Sequence, residues 1–188
     1  MGLDGWARLR AMSPSFLLAL LPPPALAQRV GAFHDTWRLH DAAAVPHITV
    51  KPRSGLTPDL AWAQAARSAV AAFPPVALSI GGPRLFSNGT ALYLHVSSPD
   101  AVRLHLALLA AVDPPMRFGY EGPQMTPHLS VALARRELDL GEVLEAARAE
   151  FGELDGQPVT FTAHEVALMR KPEPGGVYLP VEEWPLGG

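Results

Sequence analysis

The pentapeptide PHITV at residues 46–50 recurs as PHLSV at residues 127–131, and this pair of segments decides the fold. Each copy contains a histidine, an apolar residue, a hydroxyl residue and a valine, in that order. Because side chains alternate between the two faces of a strand, the spacing predicts two strands with the same division of faces. One face is buried, and the other presents a histidine together with a hydroxyl group.

The segments around the two motifs follow the same order of predicted elements, which indicates an internal duplication. The first series is strand 15–21, a proline-led helix at 25–37, strand 47–51, a second helix and strand 76–80. The second series is strand 91–97, a proline-led helix, strand 128–133, a capped helix and strand 159–169. Both motifs lie in the third element of their series. The sequence therefore predicts that a pseudo-twofold axis brings the two motif strands side by side.

Helix starts and turns are marked by short local patterns. Thr57-Pro58 and Ser98-Pro99 each place an N-cap residue before a proline at the first helical position. Asp139 with Glu142 is typical of a capping box, and residues 87–89 (Ser-Asn-Gly) predict a hairpin turn. A last strand is predicted at residues 177–181. These patterns predict an alternation of strands and helices along the whole chain.

Composition and charge exclude several classes of function. The chain has 188 residues, of which 48% are hydrophobic and 18% charged, as is typical of a globular protein. A net charge of -3 disfavours tight non-specific binding to long nucleic acids, although recognition of one or two terminal nucleotides remains open. The absence of cysteine excludes disulfides, thiol nucleophiles and cysteine-ligated zinc. It also fits a reducing compartment.

The N-terminal region resembles a secretory signal, but its apolar run is only about six residues long, which is short for such a signal. It ends at three prolines, residues 22–24, and removing residues 1–27 would delete the first predicted strand. We therefore expect a cytoplasmic protein without a membrane span. Residues 1–12 are interpreted as a flexible extension, and residues 13–188 as a single domain.

The two motifs predict a cleft with two imidazoles and two hydroxyl groups, from His47, Thr49, His128 and Ser130. A neutral imidazole can accept a proton from water while a protonated one donates a proton to a leaving alkoxide. Histidine can hold either state near neutral pH, and hydroxyl groups can donate hydrogen bonds to phosphoryl oxygens. This set suits phosphoester hydrolysis without a cofactor or a metal. The structural alternative is a pair of hydrogen-bonded strand histidines with no chemical role.

Other side chains are candidates for substrate contacts or metal ligands. Lys51 shares the face of His47 and Thr49 if the alternation continues. The full set of candidate substrate contacts is Lys51, His95, Arg135 and Tyr178. His34 and His40 lie near His47 in sequence, but the segment lacks the ligand pattern of a zinc site, and no metal is predicted.

The paired His-x-Thr/Ser motifs resemble the signature of the two-histidine phosphoesterase superfamily, which includes the bacterial RNA 2′,3′-cyclic phosphodiesterases once called 2′-5′ RNA ligases. The resemblance extends over about residues 14–186, including the opening FLLALLPP at residues 16–23 and the closing Trp184-Pro185-Leu186. Ser130 stands where threonine is commoner in the family. Leu133 stands where the RNA-end branch often has arginine.

The resemblance implies a bilobal α+β fold, with two mainly antiparallel sheets around a central cleft. It also implies opening of a 2′,3′-cyclic phosphate to a 2′-phosphomonoester, with weak reverse 2′-5′ ligation. By motif, His47 would donate a proton to the leaving oxygen, His128 would activate water, and Thr49 with Ser130 would hold the phosphate. The expected partner of this protein, which we expect to be a monomer, is an RNA 3′ end or a nucleotide with a cyclic phosphate.

Two alternatives remain open. One is a phosphodiesterase for a small nucleotide, such as ADP-ribose cyclic phosphate or a 2′-5′ oligoadenylate. The other is a non-catalytic module that binds a phosphorylated RNA end. The histidine pair favours an enzyme, because a binding module has no need of two titrating groups.

Overall fold

The computed structural model describes residues 13–41 and 43–188; the predicted extension at residues 1–12 lies outside the described residues. Within the described part of the chain there are eight strands and four α-helices. The strands are β1 (Ser15–Leu20), β2 (Ile48–Lys51), β3 (Val76–Leu85), β4 (Ala91–Ser97), β5 (His128–Leu133), β6 (Val159–Ala163), β7 (Glu165–Lys171) and β8 (Leu179–Pro185). The helices are α1 (Pro24–Trp37), α2 (Ala63–Ala71), α3 (Pro99–Val112) and α4 (Leu140–Phe151), and a 3₁₀ turn (Gly152–Asp155) follows α4.

The strands form one antiparallel sheet in the order β6-β3-β4-β5-β2-β1-β7-β8. The sheet has two four-stranded lobes, β8-β7-β1-β2 and β5-β4-β3-β6. They join where β2 meets β5, through the registered pair Ile48 and Leu129. The α+β fold is confirmed, and the two predicted sheets are continuous at this junction. Counted outward from the junction, β1 occupies the same place in its lobe as β4 does in the other, and β7 the same place as β3. A duplicated unit would produce this symmetry, and the duplication itself stays an interpretation.

The helices cover one face of the sheet and leave the motif face open. Leu18, Leu20, Ile48 and Val50 belong to the main core together with the apolar sides of the helices. Complete burial of a leucine contributes about 1.5–3 kcal/mol, so this face supplies much of the stability. A smaller cluster on the opposite face contains Leu17, Ala19, Ala167, Met169 and Tyr178. Both faces of β1 are therefore covered, which explains its continuous apolar sequence.

Two of the predicted helix starts are confirmed by their capping contacts. Ser98 Oγ accepts a hydrogen bond from the Ala101 N–H at 3.0 Å. Asp139 Oδ1 accepts hydrogen bonds from the N–H groups of Gly141 at 2.8 Å and Glu142 at 3.3 Å. A side-chain cap satisfies N–H groups that the first helical turn leaves unpaired.

The helix start predicted at Thr57-Pro58 is wrong, because α2 begins at Ala63. Thr57 Oγ1 donates to Asp59 Oδ1 at 2.6 Å instead of capping a helix. Leu60 has a φ of 59°, which interrupts any helix through residues 58–62. Trp62 Nε1 donates to the Thr57 carbonyl at 2.9 Å and closes the segment into a turn.

The single strand predicted at residues 159–169 is also wrong, because the chain divides it at His164. β6 pairs with β3 in one lobe, whereas β7 pairs with β1 and β8 in the other. Residues 159–163 alternate between apolar side chains and threonine, and residues 166–169 are apolar, so both segments have strand patterns and only long-range pairing distinguishes the two strands. No helix in the described ranges is both long and apolar enough to cross a membrane.

Candidate active site

The junction of the two lobes brings the two motifs together on the open face of the sheet. Ile48 is the antiparallel partner of Leu129, and continuing this register places His47 opposite Ser130 and Thr49 opposite His128. All four side chains project from the face opposite the main core. Diagonal neighbours in such a ladder lie about 7–8 Å apart, a separation suited to two histidines on either side of one phosphate group.

Both motif histidines make the same local hydrogen bond. His47 Nδ1 lies 2.7 Å from the Val45 carbonyl oxygen, and His128 Nδ1 lies 2.8 Å from the Thr126 carbonyl oxygen. Since a carbonyl only accepts, each Nδ1 must carry the proton and donate it. Nε2 then carries the lone pair of the neutral ring, or a second proton in the charged ring. The backbone thus fixes the tautomer and leaves Nε2 available for proton transfer.

Burial lowers the pKa of both histidines from the ordinary value. For His47, burial outweighs the hydrogen bond to Val45, which raises the pKa, and the charge of His128 lowers it further. For His128, burial outweighs the hydrogen bond to Thr126. The charge of His128 thus acts on His47, as expected of two rings that project from neighbouring strands, and a protonated His128 disfavours protonation of His47.

A cavity of about 490 Å³ opens over the motif strands. Its lining includes Thr49, His128 and Ser130, with Leu17 from β1 and Tyr178. This volume lies within the range of small-molecule sites. His47 is not itself a lining residue; its ring lies beside that of Tyr178, with centroids 6.2 Å apart. Tyr178 is in turn held by its hydroxyl, 2.6 Å from Ser15 Oγ.

An aromatic pair stands beside His128. The rings of Phe86 and Tyr93 stack with their centroids 4.2 Å apart. Both rings meet the His128 imidazole edge to face, at 4.9 Å for Phe86 and 5.7 Å for Tyr93. These contacts orient the imidazole and contribute to the burial that lowers its pKa. Phe86 also lines the cavity, and only the neighbouring turn at residues 87–89 could have drawn attention to it in the sequence.

The loop between α3 and β5 forms another wall of the cavity, through Tyr120, Gln124, Met125 and Thr126. Arg53 lines the cavity as well and lies with its guanidinium 5.4 Å from the Phe118 ring centroid. Among the described lining residues it is the one arginine or lysine, and it closely follows the first motif strand. Sequence reasoning did not single out Arg53 or Tyr120 as substrate contacts, because neither lies in a periodic strand or helix pattern.

The other predicted contacts differ in position. Tyr178 lines the cavity. His95 is the registered partner of His128 and therefore shares its face, but it is exposed and is not a lining residue. Arg135 is exposed and donates from Nη2 to the Arg38 carbonyl at 3.2 Å, away from the lining.

Lys51 does not contact the cavity, contrary to the prediction from alternation. The register of β2 against β1 shifts between the pairs Ala19–Thr49 and Leu18–Lys51. This bulge adds one residue to β2 and reverses the alternation after Val50, so that Val50 and Lys51 both point to the core side. The Lys51 side chain is therefore completely enclosed, and its Nζ lies 2.9 Å from Glu121 Oε1.

A buried polar network surrounds that ion pair. Lys51 Nζ also donates to Ser54 Oγ at 2.7 Å, and the Phe118 N–H donates to Glu121 Oε2 at 2.7 Å. Burial raises the pKa of Glu121, but hydrogen bonds from Ser54, Phe118 and Lys51 outweigh it and lower the pKa overall. Burial lowers the pKa of Lys51 and outweighs its contacts with Glu121.

His105 extends this network to the adjacent loop. Its Nδ1 lies 2.8 Å from the Val50 carbonyl oxygen, and its Nε2 accepts the Gly122 N–H at 3.0 Å. The imidazole is therefore neutral with its proton on Nδ1, in agreement with a pKa lowered mainly by burial. The network attaches the cavity wall at residues 118–126 to the first motif strand.

The positions of the histidine and carboxylate side chains bear on the prediction that the site holds no metal. Across residues 13–41 and 43–188, no group of three or more His, Cys, Asp or Glu side chains is placed to hold a metal ion. His34, a potential ligand by its place in the sequence, instead lies between the carbonyl oxygens of Ala44 at 3.0 Å and Val131 at 2.8 Å. It connects α1 to the second motif strand.

Solved structures with the same fold cover nearly the whole chain. TT0787 of Thermus thermophilus is 18% identical with a TM-score of 0.56, over 93% of this chain and 98% of that one. E. coli LigT complexed with NADP+ is 14% identical with a TM-score of 0.58, over 94% and 100%. LigT complexed with 3′-AMP is 15% identical with a TM-score of 0.55, over 93% and 99%. No curated protein sequence matches significantly.

A family model agrees with the motifs and with the fold. The model described as the 2′-5′ RNA ligase superfamily matches residues 3–174, a range that includes both His-x-Thr/Ser segments. The chain therefore belongs to the 2′-5′ RNA ligase superfamily, the group of two-histidine phosphoesterases.

Proposed function

We propose that this protein hydrolyses a 2′,3′-cyclic phosphate at an RNA end to a 2′-phosphomonoester. One observation carries the proposal: His47 and His128 project from adjacent strands onto one face, each with Nδ1 bonded to a carbonyl and Nε2 available. A structural role for both histidines would not require a matched pair with matched hydroxyl neighbours. Family membership supports phosphoester chemistry at this pair.

In the proposed reaction, the Nε2 of neutral His128 accepts a proton from a water molecule as its oxygen attacks phosphorus. The bond between phosphorus and the ribose 3′ oxygen breaks, and protonated His47 donates its Nε2 proton to that oxygen. The products are a 2′-phosphomonoester and a free 3′ hydroxyl. Each positioned proton transfer contributes about 10²–10⁴ in rate. Proton exchange with solvent then restores the starting states of both rings.

The remaining groups of the site suit a phosphate anion. The hydroxyls of Thr49 and Ser130 lie on the cavity lining and can donate to the non-bridging oxygens. Arg53 adds a positive charge to the lining of the same cavity, which favours binding of an RNA end with more than one phosphate. E. coli LigT, which shares the fold, has been solved with 3′-AMP and with phosphate, and these ligands are compatible with the nucleotide phosphate proposed here.

The direct test is incubation of the protein with adenosine 2′,3′-cyclic phosphate in the presence of EDTA, with the products separated by chromatography. We expect 2′-AMP as the product and the same rate with and without the chelator. Formation of 3′-AMP would contradict the assigned leaving oxygen. Absence of turnover on both mononucleotide and oligonucleotide substrates, with binding retained, would favour the non-catalytic RNA-end module instead.

A further inference from the structure

A second aromatic pair stands at the rim of the cavity, separate from the pair beside His128. The rings of Phe118 and Tyr120 stack nearly parallel, with centroids 5.3 Å apart and 8° between their planes. Tyr120 lines the cavity and is 58% exposed. An exposed aromatic surface beside a cavity is typical of an interaction site, and stacked rings with an open surface suit a nucleobase.

The loop that carries this pair is fixed in place before any ligand binds. Glu121 directly follows Tyr120 in the loop. Its carboxylate accepts a hydrogen bond from the Phe118 N–H and forms the enclosed ion pair with Lys51. His105 accepts the next N–H along the chain, that of Gly122. A rigid aromatic surface loses little conformational freedom when a planar ligand stacks on it.

The two aromatic pairs lie in different parts of the site. Phe86 contacts the His128 ring directly, so an aromatic wall stands beside the position proposed for the nucleoside that carries the reacting phosphate. Phe118 and Tyr120 lie on the loop at the rim, next to the Arg53 guanidinium. A cation beside a stacking surface suits the phosphate that links one nucleotide to the next.

We propose that Phe118 and Tyr120 form a stacking platform for the base of the second nucleotide from the RNA end, with Arg53 contacting the phosphate between the two nucleotides. This inference rests on the proposed function and gives it a substrate class: an RNA end of at least two nucleotides rather than a mononucleotide. Tyr120 belongs both to the platform and to the cavity lining. A base that stacks there would therefore belong to the same RNA strand as the reacting phosphate.

The test measures binding, so that it does not depend on turnover. The probes are the dinucleotide ApA with a 3′-phosphate and the same molecule with an abasic ribose at its 5′ nucleotide, titrated by calorimetry. Because stacking on one aromatic surface typically changes affinity about five- to 150-fold, we expect wild type to prefer the complete dinucleotide by a factor in that range. Tyr120→Ala should lose this preference, and Tyr120→Phe should keep it.

Met116 provides the matched control, since it is an 82% exposed apolar side chain on the same loop and is not a lining residue. Met116→Ala should retain the wild-type preference, and melting temperatures establish that the variants are folded. Equal affinity of wild type for both probes, or no affinity for either, overturns the inference, as does a full preference in Tyr120→Ala. Hydrolysis of adenosine 2′,3′-cyclic phosphate tests the proposed function separately. Turnover without a base preference overturns only the stacking platform. A base preference without turnover overturns only the proposed activity.

Discussion

The Nζ of Lys51 lies 2.9 Å from Oε1 of Glu121, and solvent reaches neither side chain. The two residues are 70 positions apart in the chain, and their contact attaches a wall of the cavity to the strand of the first motif. A buried charge that loses its partner is strongly destabilising, because desolvation is no longer offset.

We therefore expect Lys51→Met to lower the free energy of unfolding by about 3–5 kcal/mol, as measured by denaturant titration. The double variant Lys51→Met/Glu121→Gln should recover part of that loss, since it removes the unpaired charge. A double variant less stable than Lys51→Met would contradict this account. Arg136→Met, at an exposed position, serves as the control for removal of a cation.

Replacement of either motif histidine should abolish most of the activity. His47→Ala and His128→Ala should each lower kcat on a 2′,3′-cyclic nucleotide by about 10²–10⁴, because each removes one of the two proton transfers. His164→Ala, at an exposed histidine between β6 and β7, should retain wild-type turnover. Circular dichroism checks the folding of all three. Full activity in either motif variant would remove that residue from the mechanism.

The hydroxyl groups of the motifs should act on the transition state more than on folding. Thr49→Val and Ser130→Ala should each lower kcat by about 10²–10³, the usual cost of one lost donor to a developing charge. Thr49→Ser retains the hydroxyl and should remain within a small factor of wild type. If Thr49→Val and Thr49→Ser had the same rate, the methyl group rather than the hydroxyl would be the functional part.

The pH profile of kcat/KM follows from the lowered pKa values of His47 and His128. The base must be neutral, so activity falls when pH drops below the pKa of His128, which burial lowers. The acid must be protonated, so activity falls when pH rises above the pKa of His47, which is lowered too. Both limbs move to lower pH, and the bell-shaped optimum should lie below the ordinary value of about 6.5. A rate that climbs steadily into the alkaline range would exclude this acid-base pair.

Local patterns in the sequence predicted those parts of the fold that local interactions determine. The motif strands and the helices capped by Ser98 and Asp139 were correct, because alternation and capping depend on neighbouring residues. The helix start at Thr57 was wrong because the Trp62 indole and the Asp59 carboxylate hold the same segment in a turn. Both competing contacts are also local, but the sequence gives no measure of their relative strength.

Features that depend on distant pairing could not be obtained in this way. The bulge between Thr49 and Lys51 is a property of the β1–β2 register, so alternation alone placed Lys51 on the wrong face. Its partner Glu121 lies in a loop without periodicity, as do Phe118 and Tyr120. The motif face was therefore predictable, whereas the walls around it required the structure.

The division of the chain at His164 has a consequence for how the molecule holds together. The lobe of β3, β4, β5 and β6 is one continuous stretch of chain, whereas the other lobe combines β1 and β2 with β7 and β8 from the opposite end of the polypeptide. The continuous lobe is thus tethered to its neighbour at both of its ends, and no single backbone cleavage could release it. A protein cleaved once in its backbone would therefore keep both motif histidines in one folded unit, because strand pairing within the sheet holds the two lobes together.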